Sequence, residues 1–278
     1  MTTHLLLIES PDAMGLVYKI TGVLFHRGFN IVSNHEFVDP ATRHFFMRTA
    51  FDGDASPQSV IDELRGLLPP AATIRLASTG KRPVVVLATK EPHCLGDLLL
   101  RHSYGELPAR IEAVISNHAT LEPLARQFGI PFQCVSHKFC TRSEHEREIL
   151  RLLKFFRPDY IVLAKYMRTL TPQFLEHYPN RIINIHHSFL PAFVGANPYH
   201  QAFTRGVKII GATAHVVTQD LDTGPIIAQG VLPVDHTHTA EDMAQAGRDV
   251  EKIVLAKALK LVLEERVFLH SNRTIVFE

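Results

Sequence analysis

Three cysteines in 278 residues, none in a Cys-x-x-Cys pair, leave no disulfide framework and point to a reduced, cytoplasmic setting. Charge of one sign is also missing. The 29 Lys and Arg nearly balance 28 Asp and Glu, and no long basic block occurs, which argues against nucleic acid or an anionic membrane as partner. No apolar run approaches bilayer length, and the opening MTTHLLLIESPD has no basic segment before its short apolar run, so neither a membrane span nor a secretory signal is expected. Internal repeats and low-complexity tracts are absent. What is present is 46% apolar residues, enough for packed cores, in a length that suits two domains. Histidine is abundant at 17; for most of these residues, ordinary composition is explanation enough.

The first 80 residues read as β-α-β-β-α-β, the split arrangement of a ferredoxin-like fold. HLLLIES is a strand, and SPDAMG opens a helix whose apolar positions are Leu16, Val17, Ile20, Val23 and Leu24, stopped by Gly28. NIVSNHEFVD and RHFFMRTAFD alternate as a hairpin. SPQSVIDELRGLL is a second helix with Ser56 as a plausible N-cap before Pro57, and ATIRLAS closes the set. After the linker STGKRP the rhythm changes. VVVLAT is a continuous apolar run of the buried parallel type. Helical and strand-like segments then alternate through RIINIHH, which predicts a Rossmann-like open α/β domain over residues 81–278. GATAHVVT and GPIIAQGVLPV read as an antiparallel pair, followed by a long helix capped by Thr239.

The stretch NIHHSFLPAFVGANPYH places an Asn, two His and a Ser directly at a strand end. Open α/β sheets bind ligands at such ends. Asn184 and His186 are two apart and share a face on an extended strand; Ser188 continues it, while His187 points the other way unless the strand has already broken. An amide donor beside an imidazole suits a developing oxyanion at a carbonyl carbon. VTQDLDTGP supplies carboxylates, Asp220 and Asp222, to handle a proton, with His215 just upstream. Three other readings stay open. Zinc lacks the helical His-x-x-x-His spacing, and the HTH of residues 236–238 reads as surface turn. A serine hydrolase lacks the Gly-x-Ser-x-Gly elbow around Ser188. A polar turn with satisfied histidines would look the same by spacing.

NIHHSFLP followed by QDLDTGP resembles the formyltetrahydrofolate-dependent formyltransferase family, through Asn184, His186 and Asp222, over roughly residues 83–278. The resemblance implies that these three are catalytic. Asn184 and a protonated His186 would stabilise the carbonyl oxygen, and Asp222 would position and deprotonate the attacking water and help pass a proton to the leaving nitrogen. YMRTL looks like the family's folate loop, which implies folate contacts from Met167, Arg168 and Leu170; Leu163 and Val217 would line the pterin pocket. SPDAMGLV with GFNI resembles an ACT domain and places an effector at Asp12, Gly15, Asn30 and Ile31.

An ACT-like domain of residues 1–80 before such a catalytic domain is similar to the branch of the family that hydrolyses 10-formyltetrahydrofolate to tetrahydrofolate and formate, balancing one-carbon pools. The family's amine-formylating members carry a Gly-rich phosphate loop after the first strand of this domain. Here that place reads ATKEPHCLGD, with Glu91 and Pro92 and no glycine cluster, so water is the expected acceptor. The resemblance thus implies a folate substrate, no metal or other cofactor, an amino-acid effector, and a homo-oligomer, dimer or tetramer, formed through the ACT-like part. The competing expectations are a formyltransferase with an amine acceptor and a non-catalytic ACT regulator.

Overall fold

The computed structural model describes residues 2–53, 58–77, 80–192 and 198–278. The N-cap expected at Ser56 lies outside the described residues. The chain divides into two compact units, Met1–Gly80 with Phe277–Glu278, and Lys81–Val276.

In the first unit the elements are β1 (Thr2–Pro11), α1 (Leu16–His26), β2 (Asn30–Asp39), β3 (His44–Gly53), α2 (Gln58–Leu67) and β4 (Thr73–Ala77). The four strands form one antiparallel sheet in the order β2-β3-β1-β4, the ferredoxin-like topology. Alternating Leu6 and Ile8 of β1 pack with Phe45, Met47 and Phe51 of β3 against Leu16, Ile20, Val23 and Leu24 of α1 and Val60 and Leu64 of α2. Val17, expected on that apolar face, is instead 38% exposed. It is one residue past Leu16, about 100° round the helix, and so leaves the buried stripe. Gly15 precedes α1 with φ of 82°, a left-handed conformation that glycine adopts without a Cβ penalty.

The second unit runs β5 (Arg82–Ala88), α3 (His93–Ser103), β6 (Ala109–Ser116), α4 (Glu122–Gln127), β7 (Phe132–Cys134), α5 (Arg142–Phe156), β8 (Tyr160–Ala164), α6 (Pro172–Glu176), β9 (Ile182–His186), α7 (Pro198–Arg205), β10 (Ile209–Val216), β11 (Ile226–Pro233), α8 (Ala240–Leu263), β12 (Val267–His270) and β13 (Arg273–Val276). Seven strands make one sheet in the order β11-β10-β9-β8-β5-β6-β7. From β9 through β7 its neighbours are parallel, while β10 and β11 run antiparallel as a hairpin. Val84 to Ala88 are all fully buried because both faces are covered. One face packs on α3 and α8, the other on α5 and α6. Thr239 caps α8 as its sequence predicts, its hydroxyl accepting from Asp242 N while the Asp242 carboxylate accepts from Thr239 N. The chain leaves β5 first toward β6 and later returns to its other side at β8. The loops after β5 and β8 therefore diverge, and a crevice opens there at the C-terminal ends of the strands.

Candidate active site

A cavity of about 520 Å³ occupies that crevice. Asn184, His186 and Asp222 line it together with Leu163, Met167, Arg168, Leu170 and Val217, so the residues expected at the site from the second unit meet in one place. The four positions expected to hold an effector belong to the other unit. Asp12 accepts an ion pair from Arg43 at 3.3 Å, Gly15 caps α1, and Asn30 and Ile31 open β2 opposite Asp52 and Phe51.

Strand register brings the side chains of Asn184 and His215 together. In the antiparallel pairing of β9 with β10, Asn184 stands opposite His215 and His186 opposite Thr213. Directly opposed side chains on one face lie close enough to touch. His215 Nδ1–H donates to Val216 O (3.0 Å), so the ring presents Nε2 as acceptor, and Asn184 Nδ2 donates to it at 3.2 Å. The amide is thereby oriented with its second N–H free for a carbonyl oxygen. In the sequence His215 is only a neighbour of the acidic turn; its alignment with Asn184 follows from a register that local pattern does not reveal.

Asp222 reaches the pair from the β10–β11 turn. Val216 N donates to Pro225 O (2.9 Å), pinching the turn shut, and a Cβ at Gly224 would meet Val216 O at 1.8 Å, so only glycine fits. Asp222 itself takes a left-handed φ of 56°. Its Oδ2 lies 3.2 Å from His186 Nδ1 and its Oδ1 3.6 Å from His215 Nε2. Burial pushes the Asp222 pKa up, but the hydrogen bond and charge of His186 outweigh it and hold the carboxyl below the usual carboxylate range. The carboxylate is therefore ionised at neutral pH. With Nδ1 turned to Asp222, His186 Nε2 is buried and has no hydrogen-bond partner among the described residues. A buried polar atom left unpaired is costly unless a ligand completes it.

His187 does not point away from this centre. β9 ends at His186, alternation stops, and the His187 ring stacks on His186 with centroids 5.0 Å apart and planes 22° from parallel. Ser188 leaves the expected face as well: its hydroxyl donates to Ala192 O at 2.7 Å and does not line the cavity. Asp220 is exposed and also stays outside. Around the rest of the cavity stand residues the sequence did not single out: Lys165, Tyr199, Arg248 and Glu251. His93, Cys94 and Glu251 bring donor atoms within 4.8 Å of one another, but the set fits a cation poorly. Glu251 already carries the Lys165 ammonium at 3.2 Å, and burial pushes the Cys94 thiol up, keeping it protonated.

The formyl transferase family matches residues 82–259. A formyltetrahydrofolate deformylase of Escherichia coli (strain K12) is 55% identical over 266 residues, covering 96% of this chain and 95% of the relative. The chain belongs to the formyltetrahydrofolate deformylase family. The crystal structure of a deformylase from Pseudomonas syringae pv. tomato superposes with a TM-score of 0.94 at 41% identity, covering 99% of this chain and 94% of that one. A glycinamide ribonucleotide transformylase from Symbiobacterium toebii reaches a TM-score of 0.69 at 31% identity and covers 72% of this chain. Deformylases thus match both units, and the transferase matches a smaller share.

Proposed function

We infer that the cavity binds 10-formyltetrahydrofolate and that Asn184, His186 and Asp222 carry out its hydrolysis to tetrahydrofolate and formate, the reaction of the deformylase family. The observation that carries the residue assignment is the unpartnered, buried Nε2 of His186 beside an ionised carboxylate and an oriented amide. The formyl oxygen sits between the free N–H of Asn184 and protonated His186 Nε2, both of which strengthen as the oxygen gains charge. Asp222 holds the water and takes its proton as the oxygen bonds to the formyl carbon. The carbon–N10 bond then breaks, the proton passes to N10, and formate leaves. Substrate entry excludes solvent, which removes hydration from Asp222 and raises its basicity at the moment it is needed. Leu163, Leu170 and Val217 give the pterin an apolar wall, and Met167 and Arg168, half-exposed at the rim, contact the rest of the folate. No step requires a metal.

Incubating the purified chain with 10-formyltetrahydrofolate and no added acceptor should release one formate per tetrahydrofolate, and exhaustive chelation should leave the rate unchanged. Formate release that collapses on chelation and returns with Zn²⁺ would overturn the metal-free mechanism.

The first unit is proposed to be an ACT-type module that binds a free amino acid near Asp12 and Asn30 and supports a homo-oligomer. Met14, Tyr18 and Phe25 of the α1 region are 98%, 80% and 77% exposed, an apolar stripe that a second copy would cover. Regulation requires the effector to bind active and inactive arrangements unequally; a coupling of about 1–3 kcal/mol would change activity or substrate affinity roughly 5- to 150-fold. Calorimetric screening of the twenty amino acids, followed by kinetics with any that bind, tests it. Binding without a kinetic effect would reduce the unit to assembly.

A further inference from the structure

Lys165 directly follows β8 and takes a left-handed φ of 59°. That conformation is disfavoured for a non-glycine residue, so it persists where the surroundings impose it. Its side chain is 5% exposed, and its ammonium lies 3.2 Å from Oε2 of Glu251, which is fully buried on α8. His93 Nε2 reaches the same oxygen at 2.7 Å, and the Tyr199 hydroxyl donates to Oε1 at 2.7 Å. Glu251 is thereby well supplied with partners, and its pKa is lowered to about 2: burial pushes it up, and His93, Lys165 and Tyr199 push it further down.

Lys165, Tyr199 and Glu251 line the same cavity as Asn184, His186 and Asp222. A formyl group in transit has two partners, the nitrogen it leaves and the nucleophile it meets. With the folate against Leu163, Met167 and Leu170, the wall of Lys165, Tyr199 and Glu251 faces the nucleophile. An amine acceptor needs a carboxylate to seat it and relieve it of a proton. Glu91 and Glu251 both line the cavity, but Glu251 is the fully buried one, and it already holds an amine.

We propose that Lys165 is a specificity-determining residue, whose ammonium occupies on Glu251 the seat an acceptor amine would take and so leaves water as the formyl acceptor. The inference rests on the hydrolytic reading above. A second amine entering as a cation meets a like charge, and one entering neutral finds its hydrogen-bond acceptor taken. Water is small, uncharged and served by Asp222, so the occupied seat does not exclude it.

Lys165→Gly empties the seat and suits the left-handed backbone. Lys165→Ala is the second variant, keeping the β-carbon that the backbone already accommodates. Full-length proteins would be given 10-formyltetrahydrofolate with glycinamide or hydroxylamine, and both formate and the N-formyl amine measured. In formyl transfer the amine nitrogen bonds to the formyl carbon, the carbon–N10 bond breaks, and one amine proton goes to N10. The ratio of N-formyl amine to formate should rise at least tenfold in either variant, and adding Glu251→Gln to Lys165→Gly should return it to the wild-type value. An unchanged ratio in a variant that keeps its melting temperature and folate binding overturns the proposal, as does wild-type enzyme that formylates the amine equally well. A ratio that stays high in the double variant overturns the seat at Glu251. Wild-type enzyme that releases no formate would instead remove the hydrolytic reading itself.

Discussion

Two carboxylates, one half-buried and one fully buried, share one cavity and are treated in opposite ways. Asp222 sits on a turn, keeps partial exposure, and has two histidines beside it, one of which ends in a nitrogen with no partner among the described residues. Glu251 sits mid-helix, has no exposure, and is held by a lysine, a histidine and a tyrosine. The first arrangement is incomplete without a substrate; the second is complete as it stands. On the proposed mechanism, incompletion marks the group that does chemistry, and completion marks the group that shapes the room around it. If the contrast is correct, removing the two charges should damage different properties.

The largest effect belongs to Asp222→Asn, which preserves shape and removes the base. Turnover should fall by about 10²–10⁴, the usual worth of a positioned general base, while folate affinity stays near wild type. The neighbouring Asp220→Asn should lose almost nothing, because that side chain is exposed and outside the cavity. Steady-state kinetics with fluorescence titration of folate binding separate the two. Sensitivity at position 220 and tolerance at 222 would reverse the assignment.

Glu251→Ala should act chiefly on stability. It leaves the buried Lys165 ammonium without its counter-charge, and breaking a buried pair in this way costs about 3–5 kcal/mol. The pH dependence has a definite sign. A carboxylate whose pKa is lowered on folding stabilises the fold above its unfolded value, near 4.5, and that stabilisation is lost as pH falls toward about 2. Urea melts of wild type and variant should therefore differ most from neutral pH down to about 4.5 and converge below it. A variant as stable as wild type at neutral pH would mean that the cluster contributes nothing to the fold.

The same contrast explains what could be read from the sequence. Period-2 alternation at a strand end put Asn184 and His186 on one face, and they line the cavity. Choosing Asp222 over Asp220 needed the family resemblance, since both are acidic turn residues and only the left-handed backbone at 222 aims one inward. Lys165 read as the continuation of a strand in PDYIVLAKY, because a left-handed lysine has no local signature. Glu251 lay in a long helix with many charges, and its burial depends on what packs against that helix. The short β7, the α7 helix and the β12–β13 hairpin were not foreseen. β7 has three residues, and β12 and β13 four each, too few for a periodic pattern to declare itself.

The smallest effect sharpens the boundary between the two centres. His187 stacks on His186 on one side and lies 6.4 Å, ring to ring, from Tyr199 on the other. Its pKa is lowered from 6.5 to about 4, first by burial and then by the charges of Lys165 and His186, which Glu251 and Asp222 only partly oppose. It is thus a neutral partition between two charged groups at working pH. Between about 4 and 6.5 the unfolded chain binds a proton there that the folded chain refuses, so stability rises with pH across that window and is lost as pH falls through it. The gap is worth about 3 kcal/mol at most. His187→Gln keeps a polar side chain of similar reach and cannot titrate. Compared with wild type, its urea midpoint should shift less between pH 6.5 and pH 4.5. The Glu251 dependence runs below that window and should persist in the variant. An identical pH slope in both proteins would mean that His187 is charged in the fold, and the partition between the two carboxylates would have to be drawn elsewhere.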